Sequence, residues 1–150
     1  MYKKILAPLD GSELGECSLE HVKAVATGCS VPEVVLLQVI EPLSANTIAA
    51  LAEASGNMVN QLEDENWNQA RDYINKTVSK LKSEGISAKG VTPRGKADEE
   101  ILKYAEKNNV DLIIMSTHGR SGLARWVFGS VAEKVLRAAT CPVMIVRPAV

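Results

Sequence analysis

This sequence predicts a doubly wound (Rossmann-like) α/β fold, a parallel sheet with helices on both faces, and three observations carry the prediction. Short apolar runs alternate with amphipathic ones along the whole chain, five strand-like and four helix-like. The run Glu33-Val34-Val35-Leu36-Leu37-Gln38-Val39-Ile40 is almost unbroken in its apolar character. Such a run is buried on both faces, as in a parallel sheet. Gly, Pro, Ser or Asp punctuates the junctions, where turns must form. Parallel strands need crossover connections, and the amphipathic runs supply them.

With 150 residues, 46% hydrophobic and 23% charged, the chain is expected to form a single domain, residues 1–150, with a sizeable core. A formal net charge of -1 leaves no basic footprint for nucleic acid. No polybasic segment is present to hold an anionic membrane surface, and no apolar run approaches the roughly 20 residues of a bilayer span. The N-terminal apolar stretch is too short for a signal peptide, so the expected location is cytoplasmic. Cys17, Cys29 and Cys141 form no CxxC pair, and an odd count argues against a disulfide framework.

In chain order, Lys3 to Leu9 reads as a buried strand closed by Asp10-Gly11-Ser12. A helix follows, with Asp10 and Glu13 at capping-box spacing and Leu14, Val22, Val25 and Cys29 as its apolar positions. The second strand is Glu33 to Ile40. The Ala- and Ser-rich stretch Leu43–Asn60 reads as a mobile loop or short helix on the same edge, placed to act as a lid. A long helix is expected over roughly Leu62–Ser83, with Trp67, Ala70, Ile74, Thr77 and Leu81 on one face and Gly85 at its end. Ile86–Val91 is a third strand, Ala97–Lys107 a helix, Leu112–Met115 a fourth strand and Pro142–Val146 a fifth.

The stretch from Val110 to Ala139 carries the chemistry. The strand stops at Ser116-Thr117-His118-Gly119, nine residues intervene, and Gly129-Ser130 opens the last helix. An ordinary βα loop has about 2–6 residues, so the length itself calls for an explanation. Small residues leave backbone N–H groups unobstructed, and a helix N-terminus favours an anion. A bland alternative is a tight turn plus a capping box formed by Ser130 and Glu133. Asp10 is either a cap or turn residue, or a carboxylate near a ribose or a phosphate-bound metal. His118 serves as a turn residue or a phosphate contact; Arg120 and Arg125 are surface charges or charge-assisted phosphate donors. Trp126 and Phe128 read as core or interface anchors. There is no GxxxxGK[ST], no GxGxxG and no GxSxG, and two histidines with three scattered cysteines make no zinc site.

These residues bear a family likeness. The run Ser116-Thr117-His118-Gly119, nine residues, then Gly129-Ser130 resembles the G-x2-G-x9-G-[S/T] pattern of nucleotide-binding universal stress proteins. The flanks Asp111–Met115 and Val131–Val135, the opening Ile5–Ser12 and the closing Cys141–Val146 are similar too. The resemblance implies a five-stranded parallel sheet of order 3-2-1-4-5 and a site for ATP, with or without Mg²⁺. In it Pro8, Leu9 and Asp10 would lie near ribose or metal-bound phosphate, and the Val39 backbone would meet the adenine. Met115, Ser116, His118, Gly119 and Arg120 would line ribose and phosphates, and Gly129, Ser130 and Val131 would hold the phosphate tail. It implies also a homodimer through Val143–Val146, which would otherwise leave an apolar edge strand exposed.

One position departs from the pattern, since its first glycine is Ser116 here. Ser fits if the backbone there is extended, and weakens the site if φ must be positive. The expected function is a stress-response or signalling module whose nucleotide tunes a dimer or recruits an unidentified protein. The alternatives are a nucleotide-free dimeric interaction module and a slow ATPase. Rapid hydrolysis is disfavoured, because neither a P-loop lysine nor a second carboxylate beside Asp10 is visible.

Overall fold

The computed structural model describes residues 1–117 and 128–149. Its elements run β1 (Lys4–Pro8), α1 (Glu13–Gly28), β2 (Glu33–Leu37), α2 (Ala45–Ala54), α3 (Met58–Ser83), β3 (Ala88–Val91), α4 (Ala97–Lys107), β4 (Leu112–Ser116), α5 (Ser130–Ala138) and β5 (Val143–Val146). All the strand pairings are parallel and the order is β3-β2-β1-β4-β5, as expected. Strand order therefore reverses at β1, whose Ile5 and Leu6 register with Val34 and Val35 on one side and Leu112 and Ile113 on the other.

Alternation along the strands divides the core in two. Ile5, Ala7, Val34, Leu36 and Ile114 face a cluster completed by Leu19, Val22 and Ala26 of α1 and by Ile74, Val78 and Leu81 of α3. Leu6, Val35, Leu37, Ile113 and Met115 face the opposite cluster, with Ile101 and Ala105 of α4 and Ala132 and Val135 of α5. A parallel sheet is apolar on both faces because each face must bury a helical layer. Cys17, Cys29 and Cys141 are half-buried, and burial pushes the thiols of Cys17 and Cys141 up, so both stay protonated.

Two helices differ from expectation, and the stretch after β2 takes the helical one of its two expected forms. Leu14 is exposed, and the buried face of α1 is Gly15, Ser18, Leu19, Val22 and Ala26 instead. The stretch after β2 is helical: Ser44 caps α2, its hydroxyl accepting from Thr47 N at 3.2 Å, yet α2 buries no side chain. The long helix starts earlier, at Met58, and buries Ala70, Ile74, Thr77, Val78 and Leu81, with Trp67 only half-buried and under the Arg71 guanidinium. Gly85 follows it at φ 83, where a side chain would strain the turn into β3.

Helix α3 reaches the sheet because of Gly90. A Cβ there would run into Cγ2 of Ile74, which is fully buried. Gly90→Ala is expected to cost about 1–3 kcal/mol by overpacking. In an Ile74→Ala background the same change should cost clearly less, since the obstructing methyl is gone. Denaturant unfolding of the double-mutant cycle measures this, and additive costs would contradict the packing account.

Candidate functional site

At the carboxyl ends of the strands, the reversal at β1 opens a cleft of about 670 Å³. Ligand sites of doubly wound sheets lie at this position, and typical pockets span about 300–1,000 Å³. Its floor comes from the ends of β1, β2 and β4, and its walls from α3 on one side and from the starts of α4 and α5 on the other.

Of the residues singled out by sequence, Pro8, Leu9, Asp10, Val39, Met115, Ser116, Gly129 and Val131 line this cleft. Ser130 does not line it, although both its neighbours do. His118, Gly119, Arg120, Arg125 and Trp126 lie outside the described residues. Sequence reading overlooked Gln38, Glu41 and the whole α3 wall, Asn66, Gln69, Ala70 and Tyr73. No sequence signal brings α3 to the cleft, because it is three elements removed from β4 and arrives only by packing.

The Asp10 turn is built differently from a capping box. Asp10 Oδ1 accepts from Ser12 N at 3.0 Å and from the Ser12 hydroxyl at 2.6 Å, while Gly11 turns the chain at φ 82. Ser12, not Asp10, is the cap, its hydroxyl accepting from Gly15 N at 3.0 Å. The carboxylate thus sets the rotamer of the residue that caps α1. Such Asx turns need a short side chain two residues ahead of the bonded N–H.

Among the described residues no side chain caps the start of helix α5. Gly129 holds the cap position at φ -58 and ψ 147, and Ser130 is already helical, so the Ser130–Glu133 capping box of the bland alternative does not form. Glu133 pairs instead with Arg137 at 3.0 Å. Gly129 N donates to Thr117 O at 2.8 Å, and Thr117 N donates to Val146 O at 2.9 Å, which pins the helix start to the end of β4. The first-turn N–H groups of α5, unassisted by a cap, have their partial positive charge at the cleft wall.

Ser116 ends β4 in register with Val146 and is not among the residues with positive φ. The glycine-to-serine departure therefore carries no backbone strain. Phe128 is exposed, with the Arg147 guanidinium 6.0 Å from its ring centre, so it is no core residue.

Alternation of backbone direction also places Val39. Leu37 O accepts from Leu9 N at 2.8 Å toward β1, whereas Gln38 N donates to Val91 O at 3.1 Å toward β3. The N–H and C=O of Val39 then turn back toward the β1 side, where β1 has already ended. Glu41, held beside the start of α4 by the Ile40–Arg94 bridge, accepts from Ala97 N at 3.2 Å. On the α3 wall the Tyr73 hydroxyl donates to Glu16 Oε1 at 2.9 Å. Burial first, and the Glu16 carboxylate second, raise the phenol far above its ordinary range, so Tyr73 remains a neutral donor.

Fold and site together define a doubly wound α/β protein with a cleft at its switch point and an uncapped helix N-terminus in the wall. The universal stress protein family model matches residues 1–147, and the chain belongs to that family. It is 35% identical to universal stress protein MJ0577 of Methanocaldococcus jannaschii, over 98% of this chain and 96% of that one. The solved structure of MJ0577 superposes with a TM-score of 0.77 at 37% identity, covering 100% of this chain and 99% of the other. UspA of Lactobacillus plantarum shares the fold with a TM-score of 0.83 at 22% identity, covering 97% and 98%. So does a family protein of Arabidopsis thaliana solved with AMP bound, with a TM-score of 0.65 at 14% identity, covering 98% and 92%.

The Asp10 turn tolerates little bulk. A Cβ on Gly15 would stand 2.6 Å from Asp10 Oδ1 and 3.3 Å from the Ser12 hydroxyl. Ala is favoured over Gly within a helix by at most about 1 kcal/mol. Displacing the doubly bonded carboxylate should outweigh that, so Gly15→Ala is expected to lose about 1–2 kcal/mol net. Thermal unfolding checks the sign; a rise in Tm would mean that the turn is not rigid.

Proposed function

We propose that the cleft binds ATP and that the bound nucleotide tunes a homodimer or the recruitment of a protein partner. The observation that carries this reading is the juxtaposition, in one cleft, of the Val39 backbone edge and the uncapped N-terminus of α5. The first suits a base edge and the second suits a phosphate. Family membership and the AMP-bound relative of the same fold support the nucleotide class.

Asp10 and Glu41 stand in the cleft wall, and the described lining residues include no lysine or arginine. A phosphate tail there needs its charge offset. Among the described residues no group of three His, Cys, Asp or Glu could hold a metal. A Mg²⁺ ion would therefore rely on phosphate oxygens, water and one carboxylate, with Asp10 as the candidate; this is how Mg²⁺ is ordinarily held beside nucleotides.

Gly129 tests the site, since its dihedrals are open to any residue and require no glycine. In calorimetry, ATP with Mg²⁺ should bind the unmodified chain, and Gly129→Val should weaken it at least about tenfold, or 1.4 kcal/mol, with unchanged Tm. Absence of heat with the unmodified chain would falsify the nucleotide reading.

The proposed dimer uses the β5 edge. Ile113 N and Thr117 N donate to Pro142 O and Val146 O, so the backbone groups of Val143 and Ile145 point away from β4. Val143, Met144 and Ile145 are only half-buried in the single chain, and Leu136 of α5 is exposed nearby in sequence. An unpaired apolar edge is a template for a second strand. Ile145→Pro removes one outward N–H at a position where an edge strand tolerates proline. Sedimentation should show a dimer for the unmodified chain and a monomer for the variant; a monomer in both cases would sink the proposed dimer.

A further inference from the structure

Gln38 stands in the cleft wall, is 6% exposed, and its Oε1 is sealed from water with no hydrogen-bond partner among the described residues. A buried amide oxygen without a donor is disfavoured in folding, so its persistence at a ligand cleft asks for a ligand. Alternation in β2 gives Gln38 the face of Val34 and Leu36, toward α1 and α3. That side of the cleft is polar, lined by Asn66, Gln69 and Tyr73, whereas Ile101, Val131 and Ala132 make the other side apolar.

We propose that the Gln38 carboxamide reads the 6-amino purine edge of the bound nucleotide. The inference rests on the nucleotide reading of this cleft and adds the residue that selects the base. A carboxamide presents an acceptor and a donor side by side, the complement of an adenine's N6–H and N7. A 6-oxo purine offers O6 and N7, two acceptors, and cannot satisfy Oε1. Gln38 directly precedes Val39, so the same turn of chain presents a backbone edge and a side-chain amide to one base. The outermost torsion of glutamine is broad, and a rotation about it turns the amide from its sealed position into the cleft when a base arrives. Binding then supplies the missing partner, and the specificity comes from an interaction absent in the empty protein.

Calorimetry with ATP, 7-deaza-ATP and ITP, on the unmodified chain and on Gln38→Met, tests this. The 7-deaza analogue keeps the amino group and the Watson–Crick edge but lacks N7, which separates Gln38 from the Val39 backbone. The unmodified chain should bind 7-deaza-ATP about five- to tenfold more weakly than ATP, the scale of one hydrogen bond, and ITP more weakly still. Gln38→Met should bind ATP and 7-deaza-ATP equally. Without nucleotide it should melt higher than the unmodified chain, since an apolar group of similar length replaces an unpartnered amide. Equal affinity of the unmodified chain for ATP and 7-deaza-ATP overturns the proposal while leaving nucleotide binding intact; so does a 7-deaza penalty that survives in Gln38→Met. If the unmodified chain binds no nucleotide at all, the cleft reading falls and this one with it. The comparison within the unmodified chain stands even if Gln38→Met fails to fold.

Discussion

The backbone ladder of β1, hydrogen-bonded to β2 on one side and β4 on the other, is the interaction on which the rest of the structure depends. Its two neighbours lead to crossovers on opposite faces, α1 and α3 covering one and α4 and α5 the other. Because the chain leaves β1 in one direction and later returns on its other flank, the connections diverge at its carboxyl end. Among the described residues a cleft opens at that end. The side chains of β1 from Ile5 to Ala7 are wholly buried, so register there is held by backbone bonds and two-sided packing, while Lys4 ties the strand's start to Glu33 at 3.2 Å.

The chemistry of the cleft is a consequence of how the strands end. Leaving β1, the chain meets Asp10 and Gly11, and the carboxylate folds back to hold the Ser12 cap. Leaving β2, it keeps one more bond to β3 through Gln38 and so turns Val39 toward the gap. At β4, Thr117 links Val146 to Gly129 and brings an uncapped helix start to the same space. The ends of β2 and β4 thus present backbone groups at Val39 and Gly129, and the end of β1 presents the Asp10 carboxylate. Helix α2, with no buried side chain, follows the β2 end closely and is the least anchored of the helices. Elements with few buried apolar contacts open at low free energy, which is the property a lid requires.

Much of this was legible beforehand because it is local. Two-sided apolar runs marked the strands, and α4 spans Ala97–Lys107 in both the pattern and the structure. The G-x2-G-x9-G-like spacing located the β4–α5 half of the cleft, and Asp10, Val39, Met115 and Gly129 are all found in its lining. The two capping boxes failed for a shared reason. Asp10–Glu13 and Ser130–Glu133 have the right spacing, but spacing does not reveal which residue keeps extended dihedrals. Tertiary bonds decided that: the Asx turn handed the cap of α1 to Ser12, and the Thr117 carbonyl held Gly129 at the start of α5.

Sequence alone determined the class of fold, the family and the edge at which a ligand would sit, because periodicity, turn chemistry and motif spacing are written along the chain. It determined also that Ser116 replaces a glycine, though not what that replacement means. Only the tertiary structure put Ser116 at the end of β4, paired with Val146 and free of positive φ. Only packing, through the bare Cα of Gly90 against Ile74, brought α3 over the sheet. Its Asn66, Gln69 and Tyr73 thereby became a polar wall opposite the α5 terminus. The sealed, unpartnered oxygen of Gln38 is of the same kind, since partnering depends on what surrounds a group in space. In the sequence Gln38 is one polar letter in an apolar strand.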